Sequence, residues 1–228
     1  MRYQLPLFVL MLSMFATGTF AQATAVDYYN RGIERHNQKD YDGAVGNYNK
    51  AIELDPNYWR PYFGRSLVRL AKRDYAGAIA DSAKVIELNP SLSEAFNNRG
   101  YALEAKTEFA AAIPDFTKAL KLNPKFVDAL SNRCWARTET KDYDGAIEDC
   151  TKALELEPTR AAPYINRARA RYYKQNFEGA IADCTNAIEL SPNEPYYYTI
   201  RAIAYRAVNK IDFAVADEKK VADLAKKP

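Results

Sequence analysis

The chain has 228 residues, 48% hydrophobic and 27% charged, a composition that excludes a disordered or wholly membrane-embedded protein. Lysine and arginine total 32 against 29 acidic residues, and the net charge of +3 is too small to imply a nucleic-acid or membrane partner by bulk electrostatics. The partner has to be argued from local features.

The first segment differs in kind from the rest. Arg2 supplies one positive charge, no charged side chain appears from Tyr3 to Val26, and the apolar run Leu5 to Phe15 is short for spanning a bilayer. Small residues follow at Ala16, Gly18, Ala21 and Ala23. This is the pattern of a secretory signal peptide over residues 1–21, with cleavage after Ala21 fitting best and Ala23 as the second candidate. The expectation is a mature chain starting at Gln22, periplasmic or extracellular and without stable membrane insertion. An uncleaved membrane anchor is the alternative. No cysteine follows the apolar run directly, which argues against a lipoprotein.

Beyond the signal, shifting the chain against itself by 34 residues superimposes Pro56, Pro90, Pro124, Pro158 and Pro192, with Pro228 two positions beyond strict register. Six repeats result, at 25–58, 59–92, 93–126, 127–160, 161–194 and 195–228. The same shift aligns Ala44, Ala78, Ala112, Ala146, Ala180 and Ala214. Twelve residues before each stands Gly32, Ser66, Gly100, Cys134, Ala168 or Ala202, so both sites hold small residues only. Small residues at one fixed site on each of two successive helices let the axes approach closely, and each repeat reads as a tight helical hairpin. Lys39-Asp40-Tyr41, Arg73-Asp74-Tyr75, Lys141-Asp142-Tyr143 and their equivalents lie between the helices, with the Asp placed to N-cap the second helix. Endings such as Glu53-Leu54-Asp55-Pro56 stop that helix, because proline disfavours helical geometry in the residue before it.

The spacing of aromatic, small, Ala, aromatic, Ala and Pro appears as Tyr28, Gly32, Ala44, Tyr48, Ala51 and Pro56, and again as Phe96, Gly100, Ala112, Phe116, Ala119 and Pro124. It resembles the tetratricopeptide repeat, and the resemblance covers everything after the signal. It implies an all-α fold over residues 22–228, a right-handed superhelical solenoid of six tandem helix-turn-helix repeats whose first helices line a concave groove.

The chain departs from the family pattern in its charges. Arg31, Arg65, Arg99, Arg133, Arg167 and Arg201 stand where the family usually has leucine, and Arg35, Arg69, Arg137 and Arg171 follow four residues on, sharing a helix face. On the second helices Asp81, Asp115, Asp149, Asp183 and Asp217 recur in register, with Asn47 the exception. A ladder of internal ion pairs is the first expectation, since isolated buried arginines are costly. An anion-binding seam, supported by the surplus of arginine, is the second. Pro114 is expected to distort the start of its helix slightly. Cys134, Cys150 and Cys184 occupy core-type sites and are expected as free thiols, with at most one internal disulfide.

No catalytic or metal-binding pattern stands out: His36 is the single histidine, and no GxSxG, Walker, Rossmann or HExxH motif occurs. Neither cofactor nor metal is expected, and the chain reads as a non-catalytic binder. Cytosolic tetratricopeptide co-chaperones grip a carboxylate with lysine, arginine and asparagine. Asn98, Asn132 and Asn166 match the asparagine, but Asp128, Asn132, Ala162 and Asn166 stand where the basic residues belong, which disfavours that clamp.

By the resemblance, the groove stripe on the first helices collects Tyr29, Arg60, Phe63, Leu67, Glu94, Tyr101, Asp128, Trp135, Arg169, Tyr172 and Tyr196, with Tyr173 beside it. Aromatics and arginine anchor interfaces, so the stripe is the expected site for a peptide or protein segment. Phe63, Tyr101 and Trp135 are the expected anchors, partly exposed on consecutive repeats. Packing between neighbouring first helices accounts for about half of these rings. An anionic polymer held by the arginine rows is the alternative. Asp217, Glu218, Lys219 and Lys220 on the last helix suggest a polar cap and a monomer.

Overall fold

The computed structural model describes residues 23–226; the expected signal peptide and Pro228 lie outside the described residues. Among the described residues there are twelve α-helices and no strand. The six first helices are α1 (Ala25–Asn37), α3 (Trp59–Ala71), α5 (Ser93–Ala105), α7 (Val127–Glu139), α9 (Ala161–Tyr173) and α11 (Pro195–Ala207). The second helices are α2 (Tyr41–Leu54), α4 (Tyr75–Leu88), α6 (Phe109–Leu122), α8 (Tyr143–Leu156), α10 (Phe177–Leu190) and α12 (Ile211–Ala225). The period of the sequence is thus the period of the helices.

Local chemistry fixes each boundary. Asp40, Asp74, Asp142 and Asn176 cap the second helices, accepting from the N–H groups of Gly43, Gly77, Gly145 and Gly179 at 3.0 to 3.1 Å. Glu108 and Lys210, at the equivalent sites, make no side-chain cap. The residue before each cap is left-handed: Lys39, Arg73, Thr107, Lys141, Gln175 and Asn209 have φ between 59° and 68°. The Asp40 N–H then donates to the Arg35 carbonyl and the Lys39 N–H to that of His36, closing the first helix by a Schellman motif built without glycine. At the other end, Asp55, Asn89, Asn123, Glu157 and Ser191, each before a proline, sit at φ between −133° and −146°. Helix α6 runs through Pro114 with the same 14 residues as α2, α4, α8 and α10.

The hairpins close through residues 16 apart on their two helices. A β-carbon on Gly100 would lie 2.7 Å from the Phe116 ring, and one on Gly32 would collide with Tyr48. Ala168 and Cys184 share a core cluster in the fifth repeat. In the fourth repeat the same crossing holds Cys134 and Cys150, whose Cα atoms are 5.6 Å apart and whose sulfurs are bonded. This corrects the expectation of free thiols: at the closest point of the hairpin, where the first and third repeats set a glycine against an aromatic ring, two cysteines meet at disulfide distance. Cys184 faces an alanine and stays free and buried, its thiol pushed up to about 12, mainly by burial.

First helices of neighbouring repeats touch one another all along the chain, from α1 with α3 to α9 with α11, whereas second helices of neighbouring repeats do not. The first helices therefore converge on the inner, concave side of an all-α solenoid. The last helix is less polar than expected. Ile211, Phe213 and Val215 are exposed beside the charged residues, because Val215 keeps the apolar identity of Val45, Ile79, Ile113, Ile147 and Ile181, which a following repeat covers.

Candidate binding groove and the arginine ladder

Each repeat aspartate is buried and held by its arginine sixteen residues earlier. Arg65–Asp81, Arg99–Asp115, Arg133–Asp149, Arg167–Asp183 and Arg201–Asp217 are all two-pronged, Nε and Nη2 donating to the two carboxylate oxygens at 2.6 to 3.0 Å. The remaining Nη1 reaches back to the preceding repeat's second helix, to Asn49, Thr117, Thr151 or Thr185. Ala83 stands at that site for Arg99, which makes no such bond and is the most exposed of the five arginines.

The second arginine row converges on the same carboxylates. Arg69, Arg137 and Arg171 donate to Asp81, Asp149 and Asp183 at 2.8 to 2.9 Å and also to the carbonyls of Gly77, Gly145 and Gly179. Two guanidinium groups on each of three carboxylates, and one on each of Asp115 and Asp217, absorb most of the surplus of arginine that supported the anion-binding alternative. In the first repeat Asn47 donates its own amide to the Gly43 carbonyl at 2.8 Å, Arg35 turns to Asp40, and Arg31 lies over the Tyr28 ring.

On the concave side the predicted residues fall into two sets. Tyr29 packs on Tyr48 and Tyr58 and Tyr172 on Phe177, so these rings join neighbouring elements, whereas Phe63 packs on Trp59 one turn away on the same helix, α3. Leu67 is half-buried, Arg60 is exposed over Trp59, and Asp128 pairs with Arg160 at 2.5 Å. Glu94 accepts a hydrogen bond from Ser93 at 2.9 Å. The open apolar surface comes from Tyr101, Tyr173 and Tyr196, which are 42%, 50% and 38% exposed, together with Ile203, which the sequence reading did not single out. Tyr173 stacks on Tyr143 at the groove's edge.

Between them lies a charged cluster. The Arg169 guanidinium sits 4.0 Å from the centre of the Trp135 ring and donates to Glu139 at 2.6 Å. Its Nη1 is buried without a partner, and so is the Glu104 Oε2 oxygen. Burial, and secondarily the Glu139 carboxylate, push Glu104 up to about 8. Burial also pushes the Tyr196 phenol up, against the opposing effect of Arg169. Arg169, Tyr172, Tyr173, Ile200 and Ile203 enclose a hollow of about 70 Å³.

The tetratricopeptide-repeat family model matches residues 25–58, 93–126 and 127–160, on the boundaries that the period gives. The chain belongs to the tetratricopeptide repeat family. The other three repeats of this tetratricopeptide protein fold alike but carry Ser82, Cys184 and Glu218 where Tyr48 and Phe116 stand. No curated protein matches it in sequence. Among solved structures it is similar to YrrB, described as a TPR protein with an unusual peptide-binding site, at 22% identity and TM-score 0.66, over 86% of this chain and 92% of that one. It is also similar to PilW, described as a widely conserved type IV pilus biogenesis factor, at 16% identity and TM-score 0.79, over 89% and 94% of the two chains. MamA follows at 24% identity and TM-score 0.67, over 76% and 94%. At these identities the likeness establishes the fold.

Two of the asparagines that match the one in the disfavoured carboxylate clamp are spent inside the solenoid. Asn132 donates to Asn97 at 3.2 Å and Asn166 to the Ser131 carbonyl at 3.2 Å, each tying one first helix to the one before. The sequence reading missed Glu104 and Glu139. Extending the stripe by one helical turn, three residues past Tyr101 and four past Trp135, reaches both.

Proposed function

We propose that the protein is a non-catalytic binding module or assembly scaffold that holds a peptide or protein segment along its concave face. The observation that carries this reading is the concentration of exposed rings on that face: Tyr101, Tyr173 and Tyr196 all project from first helices. The peptide-binding description of YrrB gives a precedent on the same fold. The anionic-polymer alternative loses its support, because five of the first-row arginines and three of the second are bound to buried aspartates.

Site-specific photo-crosslinking tests it. A crosslinker at Tyr101 or Tyr173 should capture a polypeptide in cells, while one at Lys152 on the outer helix α8 should not. Equal capture at both positions refutes a groove-specific site. Steep loss of binding with added salt would instead point to a polyanion.

The proposal places the protein outside the cytoplasm, as a monomer. The single charge at Arg2 followed by the uncharged stretch Tyr3 to Val26 supports export, and the Cys134–Cys150 disulfide is at home in an oxidising compartment. N-terminal sequencing should find Gln22 first; Met1 in a membrane fraction would replace cleavage with anchoring. Light scattering should give the mass of one chain, and a stable dimer through the sixth repeat would overturn the monomer.

A further inference from the structure

The two central first helices, α5 and α7, carry three basic residues, and all three face the ladder: Arg99, Arg133 and Arg137 are bound to Asp115 and Asp149. Their remaining charges are all acidic, namely Glu94, Glu104, Asp128 and Glu139. Asp128 and Glu139 are neutralised from within, by Arg160 and Arg169. The centre of the groove is thus a belt of carboxylates among aromatic rings.

Arg169 shows how a cation is received there. Trp135 and Glu139, one helical turn apart on α7, offer it a ring face and a carboxylate together. One repeat earlier, Tyr101 and Glu104 stand three residues apart on α5 and offer the same two groups. The residue on α7 that occupies the register position of Arg169 is Trp135, which has no charge to give. Glu104 consequently keeps a buried oxygen without a donor, beside a tyrosine that is 42% exposed. Glu139 is the charged group that acts on it, and it is negative.

We propose that the concave face selects a polypeptide segment presenting a lysine or arginine side chain to Glu104 and Tyr101. This rests on the reading that the groove binds a protein segment, and it names the chemistry of that segment. A cation brought to Glu104 reverses the balance that keeps its proton on: the carboxyl ionises, and binding releases a proton. Affinity for a basic segment therefore rises with pH through neutrality towards about 8. The groups facing the cluster from the packed elements are Glu104 on α5, Glu139 on α7, Arg169 on α9 and the Tyr196 phenol on α11.

The probe is a phage-displayed random peptide library panned on the full chain and, in parallel, on Trp135→Ala. Peptides lost on the variant report the groove. We expect them to be enriched in lysine or arginine, and replacing that residue by uncharged norleucine in a synthetic peptide should weaken binding to the unmodified protein about tenfold. Glu104→Gln should weaken the lysine peptide about as much, leave the norleucine peptide unchanged, and flatten the pH dependence. If Trp135-dependent peptides lack a basic residue, or tolerate norleucine without loss, the charge preference is wrong while the groove reading stands. If no peptide depends on Trp135, both fall.

Discussion

Asp149→Ala offers a stringent test of the ladder, because it leaves two arginines facing one hole. Asp149 is 3% exposed, and it accepts from Arg133 at 2.8 and 2.6 Å and from Arg137 at 2.9 Å. After the substitution Arg133 retains only Thr117, and Arg137 retains the Gly145 carbonyl and a 3.3 Å approach to Asp142. Removing one partner of a buried pair costs about 3–5 kcal/mol. The surviving bonds and the 15% and 22% exposure of the two arginines place this case at the lower end, about 3 kcal/mol by the same rule. That is a large share of the roughly 5–15 kcal/mol that holds a typical domain together. Urea unfolding followed by circular dichroism measures it. The companion variant replaces Asp149, Arg133 and Arg137 together by leucine, and should recover most of the loss, since what costs is the unpaired charge rather than the absent pair. A loss below about 1 kcal/mol for Asp149→Ala would refute the argument.

Three further substitutions test other parts of the structure. Asn47→Asp supplies the carboxylate missing from the first repeat, so Arg31 and Arg35 should close on it and raise stability by about 1 kcal/mol; unchanged urea unfolding would mean that the first repeat is built differently. Thr107→Gly relieves a β-branched residue held at φ 63° and should stabilise by about 1 kcal/mol in the same assay; destabilisation would show that the Thr107 side chain matters more than its backbone. Glu104 has a folded-state value of about 8 against an ordinary 4.5, so its contribution to stability is complete below about 4.5 and is lost as pH rises through about 8. Glu104→Gln should therefore match the parent at pH 5 and exceed it at pH 9 by roughly 2 kcal/mol, less than the full shift at about 1.4 kcal/mol per unit because water enters the site. Parallel pH profiles for the two proteins would show that Glu104 titrates normally.

The repeat boundaries were legible because proline, a capping aspartate and the small residues act locally, and each recurs with the helices. The ladder was legible too, since Arg133 and Asp149 recur in the same register and a buried guanidinium needs a partner. The left-handed turn at Lys39 was hidden, because no glycine marks it and the Schellman bonds use backbone alone. The disulfide was hidden for a different reason. Spacing placed Cys134 and Cys150 at core sites, but only the crossing distance of the hairpin shows that they meet. Nothing in the sequence sets Glu104 apart from the other acidic residues, since what perturbs it is burial together with Glu139 of the next repeat.

Ladder and groove also divide the work of the solenoid. The arginine at the ladder site is the same in all six repeats, whereas its neighbour two residues on reads Ile33, Leu67, Tyr101, Trp135, Arg169 and Ile203. Every arginine but those of the first and third repeats bonds to two successive second helices, so the ladder sets the angle between repeats from the outer side. The concave positions are then relieved of that task and can vary with the ligand. In a structure whose repeats contact only their neighbours, a substitution such as Tyr101→Ala should disturb stability locally and little. Removing a ladder aspartate should lower stability whatever is bound, and truncating an exposed concave ring such as Tyr101 should change what is bound while leaving stability nearly intact.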